Sequence, residues 1–155
     1  MTFLALLVAV PLADAGSSRP TGFASSMTVA ASPRVAHAHG IRLTLMLRYV
    51  MQCGYPGAGP LVVTFPRALK LPPQFPTGAV QLAGKSVVAS VKGRHVTVKV
   101  APHKGLMCDV MGPGSLTLAF TRAAGLANPA HPGSYRFSAT HGKRGFTAKL
   151  AIKPS

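Results

Sequence analysis

Short runs of alternating apolar and polar residues recur at regular spacing between positions 41 and 153, and this pattern constrains the fold more than any other feature. The clearest run is IRLTLMLRYV at 41–50, in which every second side chain from Ile41 to Tyr49 is apolar and two arginines fall on the other face. Such alternation is typical of a strand that is buried on one side only. No segment shows the competing period of an amphipathic helix. The sequence therefore predicts an all-β chain.

Further strands are predicted along the rest of the chain, with turn signals between them. They lie at 61–65, 79–83, 86–91, 95–100, 115–121, 134–140 and 146–153. Hairpin turns are predicted at AG (83–84), KGR (92–94) and HGKRG (141–145), because glycine adopts positive φ without steric cost. About seven to eight short antiparallel strands at this spacing predict a sandwich of two sheets.

The N-terminal residues differ from the rest of the chain. FLALLVAVPLA is too short an apolar run to span a bilayer, and ADA followed by Gly16 offers small residues for cleavage, so residues 1–15 are predicted to be a signal peptide. Residues 16–38 are rich in Ser, Ala, Gly and Pro and predict a flexible linker that allows a short edge strand at 27–30. The sandwich domain is predicted at 39–155. We expect a secreted or cell-surface protein with no transmembrane segment in the mature chain.

The two cysteines stand in matching sequence frames. CGYPGAGPLVVTF begins at Cys53 and CDVMGPGSLTLAF begins at Cys108, and both read C-x3-G-x-G-x-L-x3-F. Two Gly-rich loops at the same offset before strands that enter the sandwich from one end would lie close together. In an oxidising compartment this predicts a Cys53–Cys108 disulfide, worth roughly 4 kcal/mol in the chain-entropy treatment. The alternative is a pair of buried free thiols.

A rigid turn is predicted shortly before the strand at 134–140. Asn128-Pro129 and Pro132-Gly133 restrict the backbone there, and Tyr135 follows two residues later. This placement is typical of the tyrosine corner of β-sandwiches, in which the hydroxyl bonds to the upstream backbone. The alternative is a tyrosine in a ligand site, but packing is the favoured interpretation.

Three segments together resemble the immunoglobulin-like modules of bacterial secreted, surface and extracytoplasmic proteins. They are LVVTFPRALKLPPQFPTGAVQLAGKSV, VKGRHVTVKVAP and GSLTLAFTRAAGLANPAHPGSYRFSAT, and the resemblance covers about residues 41–153. The residues that match the motifs of those modules are Thr64, Phe65, Pro66, Gly125, Leu126, Asn128, Pro129, Pro132, Gly133 and Tyr135. The resemblance implies a structural or binding module without shared catalytic activity. The basic charge and the cysteine pair depart from the pattern, so acidic, calcium-binding members are a poor guide.

Positive charge dominates the composition. The chain has 17 Lys and Arg residues against two acidic residues, Asp14 and Asp109, for a formal net charge of +15. This predicts electrostatic association with an anionic cell-wall or envelope polymer or a lipid surface. The alternative is a basic surface that only keeps a secreted protein soluble. Specific nucleic-acid recognition is not expected, because the chain has no Trp and no nucleic-acid motif. The candidate anion-binding residues are Arg42, Arg48, Lys92, Arg94, Lys99, Arg136, Lys143, Arg144 and Lys149.

Catalysis is not expected, and no cofactor is predicted. A mature chain with Asp109 as its one acid cannot supply the paired carboxylates of glycosidases or aspartic proteases. No nucleophile elbow accompanies a Ser-His-Asp set, and no phosphate-binding glycine loop of the P-loop type is present. The sequence therefore favours a secreted, non-catalytic structural or binding module.

A small extracytoplasmic copper-binding protein is the alternative function. In AHAHG, cleavage after Ala38 would make His39 the N-terminal residue, and an N-terminal amine beside an imidazole chelates copper well. His37 and His39 would then be the candidate residues. Against this, the apolar part of the leader ends near Ala13, and both histidines also fit an exposed linker.

Overall fold

A computed structural model describes residues 25–102 and 110–155 of the chain. The predicted signal peptide, Cys108 and both aspartates lie outside the described residues. The strands are β1 (Ser26–Ser32), β2 (Arg42–Gln52), β3 (Gly59–Thr64), β4 (Val80–Leu82), β5 (Lys85–Ser86), β6 (Ala89–Lys92), β7 (His95–Val100), β8 (Met111–Phe120), β9 (Gly133–His141) and β10 (Arg144–Ile152), with a 3-10 helix at Arg122–Ala124.

The strands form two sheets of five strands each. The first sheet has the order β1-β2-β8-β4-β5, and the second has the order β10-β9-β3-β7-β6. Neighbouring strands pair antiparallel in both sheets. The inward faces of the two sheets share one hydrophobic core. The predicted fold class, an all-β immunoglobulin-like antiparallel sandwich, is confirmed.

The sandwich has more strands than the seven to eight predicted, and the run at 86–91 gives one reason. It divides between β5 in the first sheet and β6 in the second. The chain crosses between the sheets at Val87 and Val88, and Val88 is 93% exposed. Successive side chains in a strand point to opposite faces, so one strand buried on one side cannot place both valines in the core.

The other additional strand, β1, lies in the segment predicted as a flexible linker with a short edge strand at 27–30; it is an edge strand that contains those residues and extends to Ser32. It pairs with β2 along its whole length and buries Met27 and Ala31. The connection to β2 is also held by backbone bonds: the amide of Ala36 donates to the carbonyl of Lys153 at 2.9 Å, and the amide of Ile41 donates to the carbonyl of Leu126 at 3.1 Å. The sandwich therefore extends to the N-terminal side of residue 39.

Aromatic side chains join the two sheets inside the core. The ring of Phe65, just after β3, contacts Phe120 of the first sheet and Phe137 of the second, with ring centroids 5.4 Å apart in both pairs. Phe75, from the β3–β4 connection, packs on Phe120 at the same distance. The two contacts of Phe65 are edge-to-face, an arrangement that stabilises a core beyond the burial of its area.

The hairpin turns follow the predicted glycines. Ala83 and Gly84 have φ of 49° and 79°, as a two-residue turn with positive φ at both positions requires. Gly84 adopts this conformation without steric cost, whereas Ala83 does so against its preference. This turn joins β4 directly to β5 at the edge of the first sheet.

Candidate anion-binding face

Hydroxyl side chains line the outward face of the second sheet. One row across the sheet pairs Thr147 with Ser138, Ser138 with Thr64, and Thr64 with His95. The adjacent row pairs Thr140 with Val62, Val62 with Thr97, and Thr97 with Ser90. We call this surface the hydroxyl face and define it by Thr64, Ser90, Thr97, Ser138, Thr140 and Thr147.

The alternation of the strands turns these hydroxyls outward. Val63 and Val96 are fully buried and Ala139 is 2% exposed, so the residues between them in sequence must point away from the core. The side chains of Thr64 and His95 are joined by a hydrogen bond of 3.0 Å. The hydroxyl face is thus a polar surface on the outward side of all five strands of the second sheet.

Four of the predicted cations stand at the margins of the hydroxyl face. Lys149 on β10 lies directly opposite Arg136 on β9, Lys99 lies opposite Pro60, and Lys92 lies opposite His95. All four cations are exposed. Like charges opposite each other across two strands destabilise a sheet. The Lys149–Arg136 pair therefore places concentrated positive charge where a bound anion would relieve the repulsion.

The other five predicted cations are also exposed, but they do not share this surface. Arg42 and Arg48 lie on β2 of the first sheet, and Lys143 lies in the turn between β9 and β10. Arg94 donates to the carbonyl oxygen of Phe65 at 3.2 Å, and the Arg144 guanidinium lies 5.5 Å from the ring centroid of Tyr49. The nine candidates therefore divide among several surfaces, and Arg94 and Arg144 also make structural contacts.

A polar contact between the sheets, not predicted from the sequence, lies beneath Arg144. The Tyr49 hydroxyl of β2 and Nδ1 of His141 in β9 are 2.7 Å apart in the buried interior. Burial raises the pKa of Tyr49, and the nearby Arg144 opposes that shift. Burial lowers the pKa of His141, and a backbone hydrogen bond with Gly57 opposes that shift. The sequence placed Tyr49 on the apolar face of its strand and His141 in the HGKRG turn, so it gave no sign that the two pair; β9 in fact extends to His141.

The predicted turn residues make the following contacts. Nδ2 of Asn128 donates to the carbonyls of Pro33 at 2.9 Å and Val35 at 2.8 Å, so this buried side chain holds the β1–β2 connection. The Tyr135 hydroxyl donates to the carbonyl of His131 at 2.7 Å. Pro129 is buried, and Gly133 begins β9 with φ of 155°. These contacts stabilise the turn and the packing around it.

The residues of the copper alternative lie on the β1–β2 connection. His37 and His39 are both exposed, the amide of His37 donates to the carbonyl of Pro129 at 3.2 Å, and His39 forms an isolated bridge with Ala127. Within residues 25–102 and 110–155, no three His, Cys, Asp or Glu side chains cluster as a metal site. Cleavage after Ala38 would remove β1 from the sandwich.

The remaining predictions concern the cysteines and the membrane. Cys53, the cysteine that the structure describes, is not a free thiol. Its pairing with Cys108 stays a prediction. In the described part of the chain, no helix has the length and apolar character needed to cross a bilayer.

The fold and the site together define a two-sheet β-sandwich with a hydroxyl-lined, basic outer face. The sequence matches no known protein family and no curated protein. The structure is similar to the crystal structure of BslA, a bacterial hydrophobin, with a TM-score of 0.54 and 17% identity over 85% of this chain and 100% of that chain. A non-cellulosomal cohesin from the hyperthermophilic archaeon Archaeoglobus fulgidus gives a TM-score of 0.43 and 11% identity over 83% of this chain and 91% of that chain. The similarity to BslA shows a shared β-sandwich fold.

Proposed function

We propose that this protein is an extracellular, non-catalytic binding module that associates with an anionic cell-wall or envelope polymer through its hydroxyl face. The placement of Lys149 opposite Arg136 carries the proposal. Both side chains are exposed, and no acidic side chain among the described residues can neutralise them. A polyanion would neutralise this pair and gain favourable Coulomb energy from it.

The hydroxyl face adds a second kind of contact to the charges. Neighbouring strands lie about 4.8 Å apart, so the five strands place hydroxyls and cations across roughly 19 Å. Threonine and serine hydroxyls both donate and accept hydrogen bonds, which suits the hydroxyl and phosphate groups of envelope polymers. The surface therefore suits a negatively charged glycan or polyol polymer better than a polyanion that has no hydroxyl groups.

The proposal can be tested by cosedimentation with purified bacterial cell walls rich in teichoic acid. The test variant replaces Lys92, Lys99, Arg136 and Lys149 by Gln. At about 1 kcal/mol per cation near an anionic surface, we expect binding about 100- to 1000-fold weaker than that of the unaltered chain. Binding of the unaltered chain should also fall steeply when the salt concentration is raised to about 0.5 M.

A matched control removes the same amount of charge elsewhere. It replaces Arg34, Arg67, Lys70 and Lys85 by Gln, all of them exposed and none of them on the hydroxyl face. We expect this control to retain most of the binding. Equal losses in the two variants would mean that only net charge matters, and failure of the unaltered chain to bind walls at low salt would reject the proposed function.

A further inference from the structure

A second charged surface lies on the opposite side of the sandwich from the hydroxyl face. It is an open cleft of 390 Å³ lined by Ser32, Arg42, Gln81, Thr121 and Arg122. Arg42 alternates with the fully buried Leu43 on β2, so its side chain points outward from the first sheet. The volume falls within the range of small-ligand sites in proteins.

Neither arginine of the cleft has an acidic side chain as a partner among the residues that the structure describes. Residues 25–102 and 110–155 contain neither Asp nor Glu, so neither Arg42 nor Arg122 pairs with an acidic side chain there. Two guanidinium groups that share one concave surface repel each other, and a cleft focuses their combined field. Each presents a planar fork of donors that matches an oxyanion in bidentate fashion.

The walls of the cleft are fixed by regular strand pairing. Ser32 lies directly opposite Arg42 across β1 and β2, and the amide of Thr121 donates to the carbonyl of Ala79 at 2.8 Å beside β4. Gln81 pairs with Ala119 between β4 and β8. Ligand binding therefore requires little ordering of the backbone around the cleft, whereas the exposed side chains of Arg42 and Arg122 lose rotamer freedom.

The buried hydroxyl group of Thr121 is a second feature of the cleft, independent of its charges. Its Oγ1 is buried and has no hydrogen-bond partner among the residues that the structure describes. Buried hydroxyl groups of this kind are uncommon in proteins. An acceptor brought into the cleft is one way to satisfy it, after rotation about χ1 turns the hydroxyl toward the ligand.

We infer that this cleft binds an oxyanion group, a phosphate or a carboxylate, with Arg42 and Arg122 as its main ligands and with Ser32 and Gln81 as neutral hydrogen-bonding partners. The inference stands independently of the hydroxyl face, since the two surfaces share no residue. The sequence predicted Arg42 as an outward cation, but it gave no sign that Arg122 and Gln81 lie beside it.

NMR titration of the full chain tests the inference. The guanidinium signals of Arg42 and Arg122 are followed while inorganic phosphate, and in a second series glucuronate, replaces chloride at constant ionic strength. We expect saturable shifts of both signals with at least one probe, and the probe that binds more tightly identifies phosphate or carboxylate as the preferred group. Arg42→Gln and Arg122→Gln should each weaken binding about tenfold, the usual value of one charge-assisted hydrogen bond.

The control variant replaces Arg136 and Lys149 by Gln, which changes the net charge on the hydroxyl face and leaves the cleft intact. Unchanged probe affinity in this control, with loss in Arg42→Gln and Arg122→Gln, supports the site. Linear shifts that do not saturate with either probe would overturn it, as would equal losses in all three variants. Neither result bears on wall binding through the hydroxyl face, which the cosedimentation experiment measures separately.

Discussion

Gly114 in β8 occupies a position where a side chain has no room. A Cβ built there would lie 2.5 Å from Sδ of Met51, 3.1 Å from its Cγ and 3.4 Å from the backbone oxygen of Gly54. Met51 is 2% exposed, so its side chain cannot simply move into solvent. The glycine is therefore required by packing between β2 and β8.

We expect Gly114→Ala to lower the free energy of unfolding by about 1–3 kcal/mol, the usual result of overpacking. Urea denaturation measures this change. Gly112→Ala, on the same strand with no atom within 4 Å of its added Cβ, is the matched control and should change stability by much less. Equal effects of the two substitutions would contradict the packing argument.

His141 makes the stability of the fold depend on pH. Its pKa is lowered from the usual 6.5, chiefly because burial disfavours the charged ring. The positive groups close to it are Arg144, over the Tyr49 ring, and Lys143 in the adjoining turn. Because the described chain has no Asp or Glu, no acidic side chain there favours protonation.

The sign of the pH effect follows from this lowered pKa. Below pH 6.5 the unfolded chain takes up a proton on His141 before the folded chain does, so the stability present above pH 6.5 is lost as pH falls toward the folded-state pKa. Thermal unfolding should give a lower Tm at about pH 5 than at about pH 7.5. His141→Gln should reduce this difference. A Tm independent of pH, or the same drop in the variant, would argue against the role of His141.

At the scale of elements, β1 determines where the folded domain begins. It pairs with one edge of β2, from Ser26 opposite Arg48 to Ser32 opposite Arg42. It also lies against β10, at the edge of the second sheet. Removing it would expose the backbone edge of β2 and the inward side of Leu43 and its neighbours.

We expect residues 39–155 alone to unfold without a cooperative transition, whereas residues 25–155 should unfold cooperatively. Burial of Met27 alone contributes about 1.5–3 kcal/mol, a large part of the total stability of a small domain. Circular dichroism during heating measures the difference. A cooperative transition of similar Tm in the shorter chain would contradict this expectation and would favour the copper alternative, which requires a folded protein that begins at His39.

The elements themselves were predictable to different degrees. The run HVTVKV predicted β7 with the correct bounds, because its alternation is uninterrupted, the KGR turn precedes it and Pro102 follows shortly after it. The sheet change between β5 and β6 was not predictable, because it depends on which strand accepts each backbone bond. The hydroxyl face was missed for the same reason: its residues come from five separate strands, and their register is set by tertiary pairing.

For the whole molecule, the matched cysteine frames lead to a prediction about disulfide pairing. Cys53 of the first frame lies before β3, and the second frame leads into β8, which belongs to the other sheet. A Cys53–Cys108 disulfide would therefore link the loops that precede strands of the two sheets. Such a link restricts the unfolded chain and stabilises the fold.

Intact mass of the natively produced protein, with and without an alkylating agent and in the absence of reductant, tests this pairing. We expect no added alkyl group before reduction and two after it, on a chain that begins at Gly16. Two groups added before reduction would show free thiols. A chain that begins elsewhere would revise the predicted cleavage site and leave the disulfide result intact.

The two sheets are joined at both of their sides. Between β5 and β6 the chain passes from one sheet to the other through Val87 and Val88, and on the far side Val35 bridges to Lys153 beyond β10. Sheets joined in this way resist sliding over each other, so the spacing of the backbone positions that carry the cations is fixed. Binding to such a rigid sandwich depends on the spacing of the negative charges along a polymer. Two polymers of equal total charge but different repeat length would therefore bind with different affinity.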